Sequence, residues 1–205
     1  MTTSTTASTT PLILASSSPY RRKLLSTITK NFSCLSPNIN ESKKAEENIQ
    51  QMVQRLAIEK AQAVVQHSQP TSSLIIGSDQ AAEFAGRLIG KPKNHAAAKE
   101  HLLAVSGKSI TLHTGLALLN SATQALQSIV VPSTVYFRPL TEAMVDAYLQ
   151  ADKPYDCAGS LKVESLGIVM IERIQSDDPN ALIGLPLIEL TTMLNNEEYP
   201  LLING

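Results

Sequence analysis

One carboxylate, Asp79, follows the apolar run Leu74-Ile75-Ile76 by way of Gly77 and Ser78, and Gln80 comes next. An acidic side chain just past the end of a buried strand is placed to hold a divalent cation or to activate a water. It reads equally as a turn residue capping the segment that follows. Glu41, behind the loop Ser36-Pro37-Asn38-Ile39-Asn40, offers a second oxygen ligand, and hard divalent cations take carboxylate oxygens and water. Zinc-type ligation is not indicated. His67, His95, His101 and His113 are scattered, and Cys34 and Cys157 each stand alone.

A second group is Ser16-Ser17-Ser18-Pro19-Tyr20-Arg21-Arg22-Lys23. Ser18 as N-cap and Pro19 as first helical residue would open a helix here. Its free backbone N–H groups and dipole attract phosphate. Cations in a first turn oppose that dipole unless an anion offsets them; the competing view is a solvated basic face. A third group is Ser160-Leu161-Lys162-Val163-Glu164. In an extended segment, alternation puts Ser160, Lys162 and Glu164 on one face. The lysine would suit a phosphate and the carboxylate the N–H groups of a base edge, or the three form part of a surface strand with an incidental ion pair. Glu59-Lys60 is equally open. No glycine-rich phosphate loop is present, and no Ser-His-Asp or Cys-His nucleophile arrangement follows from these spacings.

The elements that must position these groups are read from periodicity and punctuation. Residues 11–15 form a short apolar strand that stops at the serines, and Leu24, Leu25 and Ile28 give the following helix one apolar face. Over 48–65, Ile49, Met52, Val53, Leu56, Ala57, Ala61 and Val64 recur at three and four residues, a helix. Residues 74–76 read as a buried strand broken by Gly77 and Ser78, with a turn at Ala85-Gly86-Arg87 and another stop at Gly90-Lys91-Pro92. A helix over 94–105 closes at Gly107. Two β-rich runs, 109–119 and 128–138, flank a polar connector and predict a long hairpin. Thr141 is a candidate N-cap, with Leu140 and Val145 spaced as a hydrophobic staple. Residues 166–174 read as a strand and 186–194 as a last helix. The tally is a mixed α/β chain without the strict alternation of a doubly wound parallel sheet.

Size and charge narrow the function. A chain of 205 residues suits one domain, or two small lobes sharing a cleft. Net charge is -1, from 17 basic and 18 acidic residues, without the basic surplus that a nucleic-acid binder uses on phosphates. Two cysteines are too few for a disulfide scaffold and read as buried thiols in a reducing compartment. Residues 1–10 are almost wholly Thr, Ser and Ala and read as a disordered tail before a single domain over 11–205. They lack the charged start and apolar stretch of a signal peptide, and no apolar run approaches the roughly 20 residues that span a bilayer. The expectation is a soluble, cytoplasmic protein without membrane or nucleic-acid partners.

In order along the chain, these pieces resemble the Maf family of nucleotide pyrophosphatases. The matching runs are Leu14-Ala15-Ser16-Ser17-Ser18-Pro19-Tyr20-Arg21-Arg22, Leu56-Ala57-Ile58-Glu59-Lys60-Ala61, Gly77-Ser78-Asp79-Gln80 and Gly90-Lys91-Pro92. Thr114-Gly115-Leu116, Cys157-Ala158-Gly159-Ser160 through Glu164, Asp178-Pro179-Asn180 and Ile183-Gly184-Leu185-Pro186-Leu187 complete the series. The resemblance implies hydrolysis of a nucleoside triphosphate to monophosphate and pyrophosphate with a divalent metal (Mg, Mn or Co). It implies an elongated mixed sheet flanked by helices, with two lobes around a central cleft as in the Maf and ITPase-like folds, and a possible homodimer. By resemblance Asp79 is the catalytic carboxylate. Ser16, Arg21, Lys60, Lys91 and Lys162 hold phosphate, and Glu41 joins Asp79 at the metal. Tyr20, Gln80 and Glu164 resemble the branch that hydrolyses 7-methyl-GTP, although that branch usually carries tryptophan at the Tyr20 position. A base made cationic by N7-methylation favours an aromatic face and a nearby carboxylate. Two alternatives stay open: a pyrophosphatase for dTTP, UTP or other modified nucleotides, and a non-catalytic nucleotide-binding regulator of cell division.

Overall fold

The computed structural model describes residues 10–201, so the Thr/Ser/Ala tail expected over 1–10 lies outside the described residues except for Thr10. Strand β1 (Leu12–Ala15) ends at the serine run, and α1 (Pro19–Ile28) begins behind Ser18, whose Oγ accepts the Arg21 N–H. A short β2 (Ser33–Cys34) precedes α2 (Ile49–Ser68), which opens with a reciprocal capping box between Asn48 and Gln51. Then come β3 (Leu74–Phe84), β4 (Arg87–Ile89) and α3 (His95–Ala104). The hairpin β5 (Ser109–Asn120) and β6 (Leu126–Phe137) follows, then α4 (Glu142–Asp152), β7 (Ile171–Ser176) and α5 (Leu187–Asn196).

The seven strands form one mixed sheet in the order β2-β1-β3-β5-β6-β7, with β4 also on β3. Strand β1 is parallel to β2 and β3, and the remaining pairs are antiparallel. Beside β3, β1 reaches only to Gly77, opposite Ala15, and β4 begins at Ala82. On that side residues 78–81 lie between the two partners, and this gap divides the molecule into two lobes around a cleft. In one lobe α1 and α5 cover Leu12, Leu14, Ile76, Leu116 and Leu118. In the other α3 and α4 cover Ala82, Ile110, Leu112, Val135 and Phe137. Helix α2 lies on the opposite face from α5, against Ile13, Ile75 and Ala81.

Three expectations are corrected. The strand at 74–76 does not break at Gly77 but runs on to Phe84. Glycine is needed there because the backbone of α2 passes close above it, so Asp79 is a mid-strand residue. Residues 160–164 are not an extended strand. Gly159 and Ser160 take positive φ, 66° and 59°, and 3-10 turns at Ala158–Ser160 and Leu166–Met170 bracket the segment, leaving β7 to start at Ile171. The Asp152 carboxylate fixes the second turn by accepting from Ser165 Oγ and the Leu166 N–H. Cys34 is exposed on the short edge strand, not buried.

Candidate active site

A cavity of about 700 Å³ opens where the sheet lacks a strand beside residues 78–81. Along β3, side chains alternate between faces. Asp79 points to the α2 side, where Lys60 meets it. Ser78 and Gln80 point to the other, where they bond the loop before α5. Both Asp79 and Gln80 still reach the cavity, because the strand edge between them is uncovered.

Lys60 is the hub of a charged cluster in the cavity. It is 5% exposed, and its Nζ donates to Asp79 Oδ1 at 2.6 Å and pairs with Glu41 Oε1 at 2.7 Å. A buried ammonium is tolerated when paired, and here two carboxylates share it. Among the described residues Asp79 Oδ2 has no protein partner, which leaves it for water or a cation. Burial pushes the Glu41 carboxyl up, but the Lys60 hydrogen bond and charge, with Lys91 and Arg21 further off, hold it below the usual carboxylate range. Arg21 is half-buried. Burial lowers its pKa, while Asp79 and Glu41 oppose that loss. Exposed Lys91 lines the same cavity, near enough to Glu41 to be felt by it, and has no carboxylate at ion-pair distance among the described residues. Buried Ser16 turns the chain into α1, its Oγ accepting the Ser18 N–H at 3.1 Å.

The same cavity is also lined by Tyr20, Gln80, Glu164, Leu161 and Leu182. Burial raises the Tyr20 hydroxyl above its ordinary value, so the ring presents a neutral phenol. Glu164 is exposed at the rim. Gln80 Nε2 is taken up by Thr114 Oγ1 at 3.0 Å and the carbonyls of Ala181 and Leu182 at 2.8 and 3.2 Å. Its side-chain oxygen is therefore the atom left for a ligand.

The structure thus brings nine of the ten sequence-derived residues to one cavity: Ser16, Tyr20, Arg21, Glu41, Lys60, Asp79, Gln80, Lys91 and Glu164. Lys162 is not among the lining residues. Its Nζ donates to the Asp152 carbonyl at 2.8 Å, and its charge is felt by Tyr20. Residues given no role from sequence also matter. Asp178, 1% exposed, accepts from the backbone N–H of Asn180 and Ile188, fixing the loop that carries the Ala181, Leu182 and Gly184 carbonyls. Asp178 has the short side chain and following Asn-containing turn of a capping residue, a signal visible in sequence but silent about its distant target.

The family model described as Maf-like protein matches residues 11–197. A protein named 7-methyl-GTP pyrophosphatase from Pseudomonas fluorescens (strain Pf0-1) is 51% identical over 184 residues, 90% of this chain and 95% of its own length. One of the same name from Nitrosococcus oceani is 46% identical over 191 residues, 93% and 95% of the two chains. Another, from Cupriavidus pinatubonensis, is 48% identical over 189 residues, covering 92% and 94%. Among solved structures, the Staphylococcus aureus Ham1 protein overlays 91% of this chain and 99% of its own at 14% identity and a TM-score of 0.49, a likeness too loose to carry a functional conclusion.

Proposed function

Because this chain belongs to the Maf family, we propose that it is a nucleotide pyrophosphatase that hydrolyses 7-methyl-GTP to 7-methyl-GMP and pyrophosphate. The observation that carries this is the make-up of one cavity: Asp79 and Glu41 among three neighbouring cations, with an aromatic ring and a further carboxylate lining the same space. Relatives of 46–51% identity bear the name of that activity.

Asp79 takes the proton from a water that attacks the α-phosphorus, and the bond from that phosphorus to the bridging oxygen breaks to release pyrophosphate. Lys60 holds Asp79 in place through Oδ1 and leaves Oδ2 to face the water. Lys60, Arg21 and Lys91 offset the negative charge of the triphosphate, with the α1 N-terminus behind Ser16 and Ser18. The Tyr20 face stacks on the cationic base, and Glu164 accepts its N1–H and N2–H.

Glu41 and Asp79 also fit a divalent cation (Mg, Mn or Co). Both are hard oxygen donors converging on one ammonium, and no three of His, Cys, Asp and Glu gather as a cage among the described residues. That donor set suits an ion held by one or two carboxylates together with substrate phosphates and water. Such an ion would supply charge neutralisation at the phosphate oxygens and alignment of the reacting groups.

The test is a nucleotide panel with each of Mg, Mn and Co. Pyrophosphate release from 7-methyl-GTP is expected to be at least about tenfold faster than from GTP, dTTP or UTP, a margin of roughly 1.4 kcal/mol in transition-state binding. Equal or reversed rates overturn the substrate assignment, and hydrolysis unaffected by chelation overturns the metal. Two further parts go with this reading. A cytoplasmic location suits the unpaired Cys34 and Cys157, checked by cell fractionation. A homodimer would cover the exposed Leu166, Ile168 and Val169 beside Glu164, checked by light scattering. Among the described residues no helix is long and apolar enough to cross a membrane.

A further inference from the structure

We propose that Ser78 is a positioning residue that aims Arg21 at the triphosphate through a carbonyl oxygen the two side chains share. Arg21 Nε donates to the Gly184 carbonyl at 2.8 Å, and Ser78 Oγ donates to the same oxygen at 2.9 Å. Ser78 is fully buried and does not line the cavity, so it acts on a ligand only through what it holds. With Nε tied, the plane of the guanidinium is set, and its remaining four N–H donors on Nη1 and Nη2 are free to face phosphate.

The acceptor is itself immobile. Thr114 Oγ1 and Gln80 Nε2 each donate to the Ala181 carbonyl at 2.8 Å, and Asp178 accepts the N–H groups of Asn180 and Ile188 at 2.9 and 2.7 Å. Gly184 has φ of 120°, a backbone state that side chains disfavour, and the side of its Cα where a Cβ would stand faces Arg21 Nε at 3.6 Å. The loop over 178–187 is thus a bracket docked on one face of β3 and β5, with Arg21 resting against it.

The proposal rests on Arg21 being a triphosphate ligand, and the experiment separates the two. Ser78→Ala, Arg21→Lys and the double variant are compared in kcat and KM for 7-methyl-GTP, with unfolding midpoints followed in parallel. Arg21→Lys removes Nε and so the shared hydrogen bond. Ser78→Ala is expected to raise KM about fivefold in the native background, the worth of roughly one hydrogen bond, with kcat little changed. In the Arg21→Lys background it is expected to change KM by less than about twofold. Equal losses in both backgrounds, or no loss in the native one, overturn the positioning role and leave the pyrophosphatase assignment intact. An Arg21→Lys enzyme with native KM removes Arg21 from the substrate site and the proposal with it. If Ser78→Ala does not fold, Ser78→Cys, similar in size with a weaker donor, runs the same cycle.

Discussion

A Cβ placed on Gly77 would overlap the carbonyl oxygen of Ala57, so α2 rests on the bare backbone of β3 at this point. Gly115 on β5 stands in the same relation to Val53. Asp79 and Gly115 are direct cross-strand partners. Lys60 lies three residues beyond Ala57 on the same helix face, and Asp79 two beyond Gly77 on the same strand face. The two close approaches therefore lower α2 far enough for the Lys60 ammonium to reach Asp79. Gly77→Ala or Gly115→Ala is expected to lift the helix, at a cost of about 3 kcal/mol or more, since backbone and not a flexible side chain is in the way. Thermal unfolding checks this; a native midpoint with native activity would contradict it.

Asp79→Asn keeps the shape of the side chain and a bond to Lys60 but loses the proton acceptor. Turnover is expected to fall about 10³-fold or more while the circular dichroism spectrum and unfolding midpoint stay close to native, because Glu41 still pairs with Lys60. A fully active variant would take Asp79 out of the mechanism.

Glu47 ties the loop ahead of α2 to Arg55, with contacts of 2.6 and 2.8 Å, and also accepts the Lys44 N–H at 2.7 Å. The Arg55 hydrogen bonds outweigh the effect of burial and lower its carboxyl from 4.5 to about 2. A pKa lowered on folding contributes stability that is present above the unfolded value, near 4.5, and is lost as pH falls toward the folded value near 2. Glu47→Gln should thus be less stable than the native chain at pH 7, with the gap closing as pH falls through that window. Urea unfolding across the range measures the gap, and a constant difference would refute the linkage.

The two thiols should separate in chemistry. Cys34 is exposed, whereas burial pushes the Cys157 thiol up to about 12, so it remains protonated at neutral pH. Iodoacetamide is expected to modify one equivalent rapidly at pH 7.5, a phase that Cys34→Ser removes and Cys157→Ser leaves. Two equally fast equivalents would show that Cys157 is more accessible than this packing allows.

Local signals were readable along the chain because their causes are local. Ser18 with Pro19, and Thr141, each start a helix through contacts within four residues, and the β5–β6 hairpin follows from alternation around a polar connector. The residue types that a phosphate-handling site would use were legible too, and the Maf resemblance singled out nine residues that line one cavity, eight of them within its ordered runs and Glu41 outside them. What sequence left open depended on distant partners. Gly77 looks like a strand breaker until a helix backbone is found lying on it. Lys162 fits a phosphate ligand until positive φ at Gly159 and Ser160 turns the segment and leaves its amine on the Asp152 carbonyl. Asp79 and Lys60 are 19 residues apart, and Ser78 and Gly184 are 106 apart. Only the packing of α2 and of the 178–187 loop on opposite faces of β3 turns those separations into bonds, because a side chain's partner is decided by where the sheet and helices meet.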